Sequence, residues 1–299
     1  MKKIKIKEKP SRMVFLALDV VILVLITYVC LVPIWHMIMA SLSNPTALNV
    51  HTSMVYYPLK NVDFQAYKII FQYKQLWSSY LNTIFYIVGS CVLTGILTTI
   101  AGYIFSRKRF HYRNAFMMFI SFTMLFNGGM IPNYLVMKGL HLTDNPLVMI
   151  VPGALGVFNI IIMRTSMGNI PEALEEAARI DGASDVKILW SVILPLCKAT
   201  FAVIMLFTAV AKWNDYFSAL LYLPTRRDLY PLQMALREII ITSTSDITSS
   251  AATLIENSSI YKKSIEYASI VVSTLPILCI YPFVQKYFVT GITMGAVKS

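Results

Sequence analysis

Residues 13–40 read MVFLALDVVILVLITYVCLVPIWHMIMA, and this stretch decides the fold class. It carries a single acid, Asp19, and no Lys or Arg. A helix that crosses a bilayer needs about 20 mostly apolar residues, which this stretch exceeds. It is too long for the apolar part of a signal peptide, and no small-residue cleavage site follows it. We therefore predict an uncleaved first transmembrane helix.

The composition extends this interpretation to the whole chain of 299 residues. Hydrophobic residues make up 57%, charged residues 14%, and the mean hydropathy is +0.63. Soluble domains contain about 25% charged residues, so a soluble enzyme, a disordered chain and a secreted disulfide scaffold are excluded. The apolar runs are continuous rather than alternating, which argues against a β-barrel. The predicted fold is an all-α membrane protein with six transmembrane helices, at about 13–40, 81–104, 115–131, 147–163, 200–223 and 268–285.

The distribution of bases orients these helices. With the N-terminus inside, the four inner segments contain 16 Lys and Arg, against 9 in the longer outer segments. The positive-inside rule then places both termini in the cytoplasm. We predict a basic tail at 1–12 and one transmembrane domain at 13–299. Its loops are an inner one at 164–198, outer ones at 42–78 and 224–263, and a cytoplasmic tail at 290–299.

Other features favour a structural interpretation. The net charge is +11, but the bases flank apolar runs and no nucleic-acid-binding module is visible, so nucleic acid is not an expected partner. The four Cys form no CxxC and the four His are scattered. No metal site is predicted.

The inner segment 164–198 reads RTSMGNIPEALEEAARIDGASDVKILWSVILPLCK. Asn169 is a plausible N-cap and Pro171 suits a first helical position, with acids in the opening turns. Gly182 supplies a stop. Ser184 or Asp185 can cap a second helix through Ile193, ended by Pro195. The residues predict a cytoplasmic helix–turn–helix, which either packs on its own bundle or offers a surface to another protein.

This segment resembles the EAA loop of bacterial ABC importer permeases. The resemblance lies in Glu176-Ala177-Ala178, then Gly182, then Val192-Ile193-Leu194-Pro195. Val192 replaces the usual Ile, and Ala199 stands where many sugar permeases have a second proline. The segments 79–83, 128–132, 213–223 and 286–298 are similar to carbohydrate permeases, in the branch for complex oligo- and polysaccharides. The chain looks like the smaller of two permeases in a type I, binding-protein-dependent importer such as the maltose transporter.

The resemblance implies a set of partners. The chain has no GxxxxGK[ST] phosphate loop, so two separate ATPase subunits would carry ATP and Mg²⁺, and this chain would bind no cofactor. A second, different permease, an extracytoplasmic solute-binding protein, an oligo- or polysaccharide cargo and the bacterial plasma membrane complete the assembly. The resemblance implies that the three glutamates of this segment pair with bases on the ATPase. The implied ATPase-coupling residues are Glu172, Glu175, Glu176, Ala177, Ala178, Arg179, Asp181, Gly182 and Pro195. The implied ATPase-facing tail residues are Gly291, Gly295 and Lys298.

Polar side chains within membrane helices are expensive and often functional. Candidates for a substrate pathway are Asn127, Lys212, Trp213, Asn214, Asp215 and Tyr216. Lys212 and Asp215 are three residues apart, so they can instead form a structural ion pair. Two other functions remain open, namely an importer for a peptide or ion, and a membrane glycosyl-lipid enzyme. The enzyme would need acids or metal ligands clustered at one membrane face.

Overall fold

The computed structural model describes residues 10–126, 128–244 and 259–296, and their regular elements are all helical. Three 3₁₀ turns lie at Pro146–Met149, Arg227–Leu229 and Ser259–Tyr261, and a π-helical turn lies at Leu189–Ile193. The α-helices are α1 Pro10–Ser41, α2 Pro45–Val50, α3 Gln65–Gln72, α4 Lys74–Ser106, α5 Arg113–Leu125, α6 Met130–Gly139, α7 Val157–Gly168, α8 Glu172–Ile180, α9 Asp185–Ile188, α10 Leu194–Leu196, α11 Lys198–Trp213, α12 Phe217–Tyr222, α13 Leu232–Thr244 and α14 Lys262–Ala296.

Two helices in the described residues, α1 and α4, are each long and apolar enough to cross a membrane. They confirm the helices predicted at 13–40 and 81–104. Two bent pairs raise the number of candidate spans to as many as four: α5 with α6, bent by 114°, and the 185–196 segment with α11, bent by 85°. The helix predicted at 268–285 lies within α14.

Three of the predicted spans are interrupted, so their description as continuous helices was wrong. Helix α5 ends at Leu125, and the chain turns at Gly129 with φ +90°. The 147–163 segment begins with a 3₁₀ turn and has Gly153 at φ +79° before α7 starts. The 200–223 segment breaks between α11 and α12. Average hydropathy does not register the first two breaks, because positive φ at glycine interrupts the helical ladder without lowering apolar content.

The chain packs as two compact units, of which the first comprises the described parts of Met1–Gln72 and Ile239–Val272. Its core contains Ala40, Leu48 and Val55, with Tyr267 packed against them. Asn44 caps α2 by accepting hydrogen bonds from the backbone N–H groups of residues 46 and 47. Every side chain of α1 from residue 11 to residue 31 is exposed. This long apolar surface therefore needs lipid or another membrane protein to cover it.

The second unit comprises Tyr73–Glu238 and the described part of Ser273–Ser299. Helix α4 is its centre, packed along α7 and α11. Gly102 allows the close approach of α7, because a Cβ there would lie 2.6 Å from Cγ of Met163. Near the first residues of α4, the Thr83 hydroxyl accepts a hydrogen bond from the Leu232 N–H at 2.8 Å and so connects α4 to the start of α13. Within the predicted loop 224–263, residues Leu232–Thr244 form α13.

Candidate functional site

The helix–turn–helix predicted at 164–198 is present, with two differences in its boundaries. Pro171 is the N-cap of α8, whereas Asn169 is the C-cap of α7. Gly182 adopts φ +80°, and the Ala183 N–H returns to the Ala178 carbonyl at 3.0 Å, which ends the helix as predicted. Ser184 then caps α9 by accepting from the Lys187 N–H.

The second helix does not end at Ile193, so the prediction that Pro195 terminates it was wrong. The chain continues through the π-helical turn 189–193 into α10, which contains Pro195, and then bends at Cys197 into α11. Proline lacks the N–H that an α-helix interior requires, and π-turns and prolines are recognised causes of sharp bends. Pro195 therefore belongs to the bend between the inner segment and α11.

Glu175 is directed into the protein and is only 8% exposed. Its Oε1 accepts from the Tyr103 hydroxyl at 3.0 Å and from Nη2 of Arg179 at 2.8 Å. Its Oε2 lies 3.1 Å from Nη1 of Arg107, whose guanidinium lies 5.0 Å from the centre of the Tyr103 ring. Glu175 is thus not available to pair with another protein, contrary to the expectation for the three acids. It joins α8 to the end of α4.

Arg179 extends this network to the next helix. Its Nη2 lies 2.7 Å from Oδ1 of Asp185, the first residue of α9. The pKa of the Arg179 guanidinium is raised, first by its hydrogen bond to Glu175 and also by the nearby Asp185 carboxylate. We call Tyr103, Arg107, Glu175, Arg179 and Asp185 the Glu175 network. Nothing in the local sequence marks Arg107 as a partner of α8.

The opposite side of α8 is exposed. It presents Ala173, Leu174, Glu176, Ala177 and Ile180, which we call the outward face of α8. Leu174 is 45% and Ile180 87% exposed, so apolar area surrounds the Glu176 carboxylate. Ala178 is half-buried against the core of the segment, and Asp181 and Gly182 are exposed at the turn. Glu172, at the start of α8, lies 3.1 Å from Nζ of Lys108. This short face of small and apolar residues around one acid suits docking into a cleft of another protein.

Most of the predicted substrate-pathway residues have structural partners. Lys212 Nζ lies 3.4 Å from Oδ2 of Asp215, and Oδ1 of Asp215 accepts from the Ser218 N–H at the start of α12. Trp213 is buried and donates to the Ser273 carbonyl, and Asn214 donates to the Val210 carbonyl. These contacts favour the structural alternative for the ion pair.

Tyr216 differs from its neighbours because it is 42% exposed, and Cζ of Arg237 lies 5.7 Å from the centre of its ring. Asn127 and Lys298 lie outside the described residues, and Gly291 and Gly295 fall within α14. Among the described residues, no three His, Cys, Asp or Glu side chains are grouped closely enough to hold a metal ion.

The described residues thus combine long apolar helices with a short helix, α8, that exposes one face. The chain belongs to the family of binding-protein-dependent transport system inner membrane components, whose model matches residues 13–294. Members of this family are permease subunits rather than enzymes, and a separate ATPase hydrolyses ATP.

Three comparisons give more detail. The chain is 37% identical to the polygalacturonan/rhamnogalacturonan transport system permease protein YtcP of Bacillus subtilis (strain 168), over 92% of this chain and 95% of YtcP. It is 37% identical to protein LplC of the same organism, over 90% of each chain. Among solved structures it is similar to a chain of a bacterial ABC transporter involved in the import of the acidic polysaccharide alginate. That match has a TM-score of 0.85 and 35% identity, and it covers 95% of this chain and all of the other.

Proposed function

We propose that this chain is a permease subunit of an ATP-driven importer, and that its cargo is a fragment of an acidic polysaccharide. The observation that carries the proposal is the arrangement of α8. Its buried side is held by the Glu175 network while its outward face is free to dock on an ATPase. The names of the relatives supply the class of cargo, since YtcP is named for polygalacturonan and rhamnogalacturonan and the similar structure for alginate.

The proposed assembly contains a second, different permease, two ATPase subunits that carry ATP and Mg²⁺, and an extracytoplasmic solute-binding protein. The chain crosses the bacterial plasma membrane six times, with both termini in the cytoplasm. The outer segment 224–263 faces the solute-binding protein and the tail at 290–299 faces the ATPase. Family membership and the charge distribution along the sequence support this arrangement.

The proposed coupling step is a rigid-body movement. When the two ATPase subunits close on ATP, the docked α8 moves with them. Glu175 and Arg107 connect α8 to α4, and Arg179 and Asp185 connect it to α9. A displacement of α8 is therefore passed to the membrane helices instead of being absorbed in a flexible loop.

The cargo proposal has support from one position in the chain. Sugars bind to aromatic faces and to a few well-placed polar groups. Tyr216 offers an exposed ring, and the guanidinium of Arg237 beside it suits a uronate carboxylate. We propose these two residues as cargo contacts, with Lys212 and Asp215 as the pair that maintains the break between α11 and α12.

The first experiment is a pull-down of the tagged chain from its native membrane in mild detergent. Recovery of a second permease and of an ATPase with a phosphate loop is the expected result. Recovery of the chain alone, or as a homodimer, contradicts the importer proposal.

A second experiment tests coupling and cargo together. Uptake of oligogalacturonides and alginate oligomers is compared with uptake of peptides and of neutral maltodextrins. Glu176→Lys and Gly182→Trp should each abolish uptake in membranes where the protein is properly inserted. Unchanged uptake in both variants contradicts the proposed role of α8, and a preference for peptides favours the non-sugar alternative.

A further inference from the structure

A cavity of about 600 Å³ lies where the last residues of α4 and α7 meet the first residues of α5 and α8. Its walls carry three bases, Lys108, Arg113 and Arg164, and one acid, Glu172. Its volume is within the range of ligand-binding pockets, about 300–1,000 Å³. It is separate from the smaller cavity beside Glu175, which Arg107 and Arg109 line.

The cavity has an excess of positive charge. Lys108 and Glu172 form an ion pair at 3.1 Å, with both side chains largely exposed. Arg164 uses its Nε to donate to the Phe105 carbonyl at 3.0 Å. Neither Arg164 nor Arg113 has an acidic partner within ion-pair distance among the described residues. Two arginines therefore line one open cavity, whose one acid, Glu172, is paired with Lys108 instead.

The start of α8 adds to this potential. The helix begins at Glu172, and its N-cap, Pro171, makes no side-chain capping hydrogen bond. A helix N-terminus carries a partial positive charge and unsatisfied N–H groups, which favour an anion. Guanidinium groups bind phosphate and similar oxyanions with paired hydrogen bonds. Arg113 and Arg164 therefore favour such an anion as the ligand of this cavity.

The surroundings indicate which phosphate the cavity takes. Arg113 is the first residue of α5, and the following residues of that helix expose large apolar side chains: Phe116, Met118 and Phe119 are 49%, 74% and 66% exposed. A ligand with a phosphate in the cavity can thus lay hydrocarbon chains along α5. In the proposed orientation this position is the cytoplasmic membrane interface, where basic pockets between membrane helices bind anionic lipid headgroups.

We propose that this cavity is a binding site for an anionic phospholipid. Arg113 and Arg164 hold the phosphodiester, Lys108 lies at the edge of the site, and the acyl chains lie on α5. The site borders the first residue of the docking helix, so a bound headgroup also competes with Glu172 for Lys108 and stabilises the start of α8. The proposal needs the membrane orientation given above, but it does not depend on the nature of the cargo.

The test measures lipid binding by the purified full-length chain. The delipidated protein is titrated with dioleoylphosphatidylglycerol or dioleoylphosphatidylcholine, and bound lipid is counted by native mass spectrometry. We expect at least one phosphatidylglycerol to bind about tenfold more tightly than phosphatidylcholine. Arg113→Gln should weaken that binding about fivefold, the factor expected for one base near a membrane surface.

Two further variants show whether a loss of lipid binding is specific to this site. They distinguish it from a general effect of positive charge and from misfolding. Arg109→Gln removes a base from the same turn that does not line this cavity, and it should change the affinity less than twofold. Arg113→Lys keeps the charge but loses the paired hydrogen bonds, so its affinity should lie between those of the wild type and Arg113→Gln. All variants should show the wild-type unfolding temperature, which excludes misfolding as the cause.

Three outcomes would overturn the proposal. One is equal binding of the two lipids, and another is an equal loss in Arg113→Gln and Arg109→Gln. The third is displacement of phosphatidylglycerol by a moderate excess of inorganic phosphate, which would make the cavity a site for free phosphate. Retention of the lipid under that excess supports a site that holds both headgroup and acyl chains.

Discussion

The substitution Glu175→Gln tests whether the buried side of α8 contributes to stability independently of its exposed side. The substitution preserves the shape of the side chain but removes the negative charge from a position that is 8% exposed. Arg107, whose side chain is 11% exposed, then loses its counter-ion. Removal of one partner of a buried ion pair costs about 3–5 kcal/mol. Arg179 is 36% exposed and adds at most about 1 kcal/mol. Because these contributions overlap, we expect a loss of about 3 kcal/mol.

The assay is thermal unfolding of the purified chain in detergent, followed by intrinsic tryptophan fluorescence. A loss of about 3 kcal/mol corresponds to a decrease in Tm of about 6–12 °C for a protein domain of comparable size. Glu176→Gln is the matched control, since its carboxylate is adjacent in sequence but exposed. Surface substitutions usually stay within about 0.5 kcal/mol.

The two variants should also differ in function. Glu176→Gln should keep the wild-type Tm and yet recover less ATPase in a pull-down, whereas Glu175→Gln should lower Tm. A Tm for Glu175→Gln within about 2 °C of the wild type would refute the reasoning, because the buried pair would then contribute little. An equal decrease in both variants would show that the two carboxylates do not lie on different faces.

Substitutions at two glycines test local geometry, and a substitution at Glu238 tests a half-buried acid. Gly182→Ala should destabilise the protein by about 1–2 kcal/mol, because Gly182 adopts φ +80°, which a residue with a side chain disfavours. A Cβ there meets no atom within 4 Å, so the backbone conformation is the whole cost. An unchanged Tm would show that the turn tolerates a side chain. Gly102→Ala should cost about 1–3 kcal/mol, because its Cβ would lie 2.6 Å from Cγ of Met163, whereas Gly139→Ala in open space should not lower Tm. Burial raises the pKa of Glu238, partly offset by nearby arginines, so the folded state holds its proton more tightly than the unfolded state. Stability should therefore fall as pH rises above the unfolded-state pKa of about 4.3 towards the higher pKa of the folded state, and Glu238→Gln should reduce that fall in a series of melting curves.

The helical content and the inner segment could be predicted because both depend on local properties. An apolar run such as 13–40 or 81–104 has one stable conformation in a membrane, since every backbone group must be paired within the segment. Gly182 marks the end of α8 because an L-residue with a side chain disfavours the left-handed conformation. The interruptions near Gly129 and Gly153 carry the same chemical signal, but hydropathy averages conceal it.

The partners of charged side chains could not be predicted in the same way. Glu172, Glu175 and Glu176 all lie in the first half of α8, and the sequence offers no local rule that distinguishes them. The fold brings Tyr103 to Glu175 across 72 residues of chain, together with Arg107. That contact depends on how segments distant in the chain pack, as where Gly102 lets α7 approach α4 closely.

The sequence by itself therefore determined that this is a helical membrane protein with a short helix that ends at Gly182, because hydrophobic length, helix capping and glycine conformation act over a few residues. Only the tertiary structure decided which acid of that helix is buried and which is available to a partner. It also decided that Arg113 and Arg164 meet at one cavity. The physical reason is that ion pairing and burial depend on distances between segments far apart in the chain, and packing alone sets those distances.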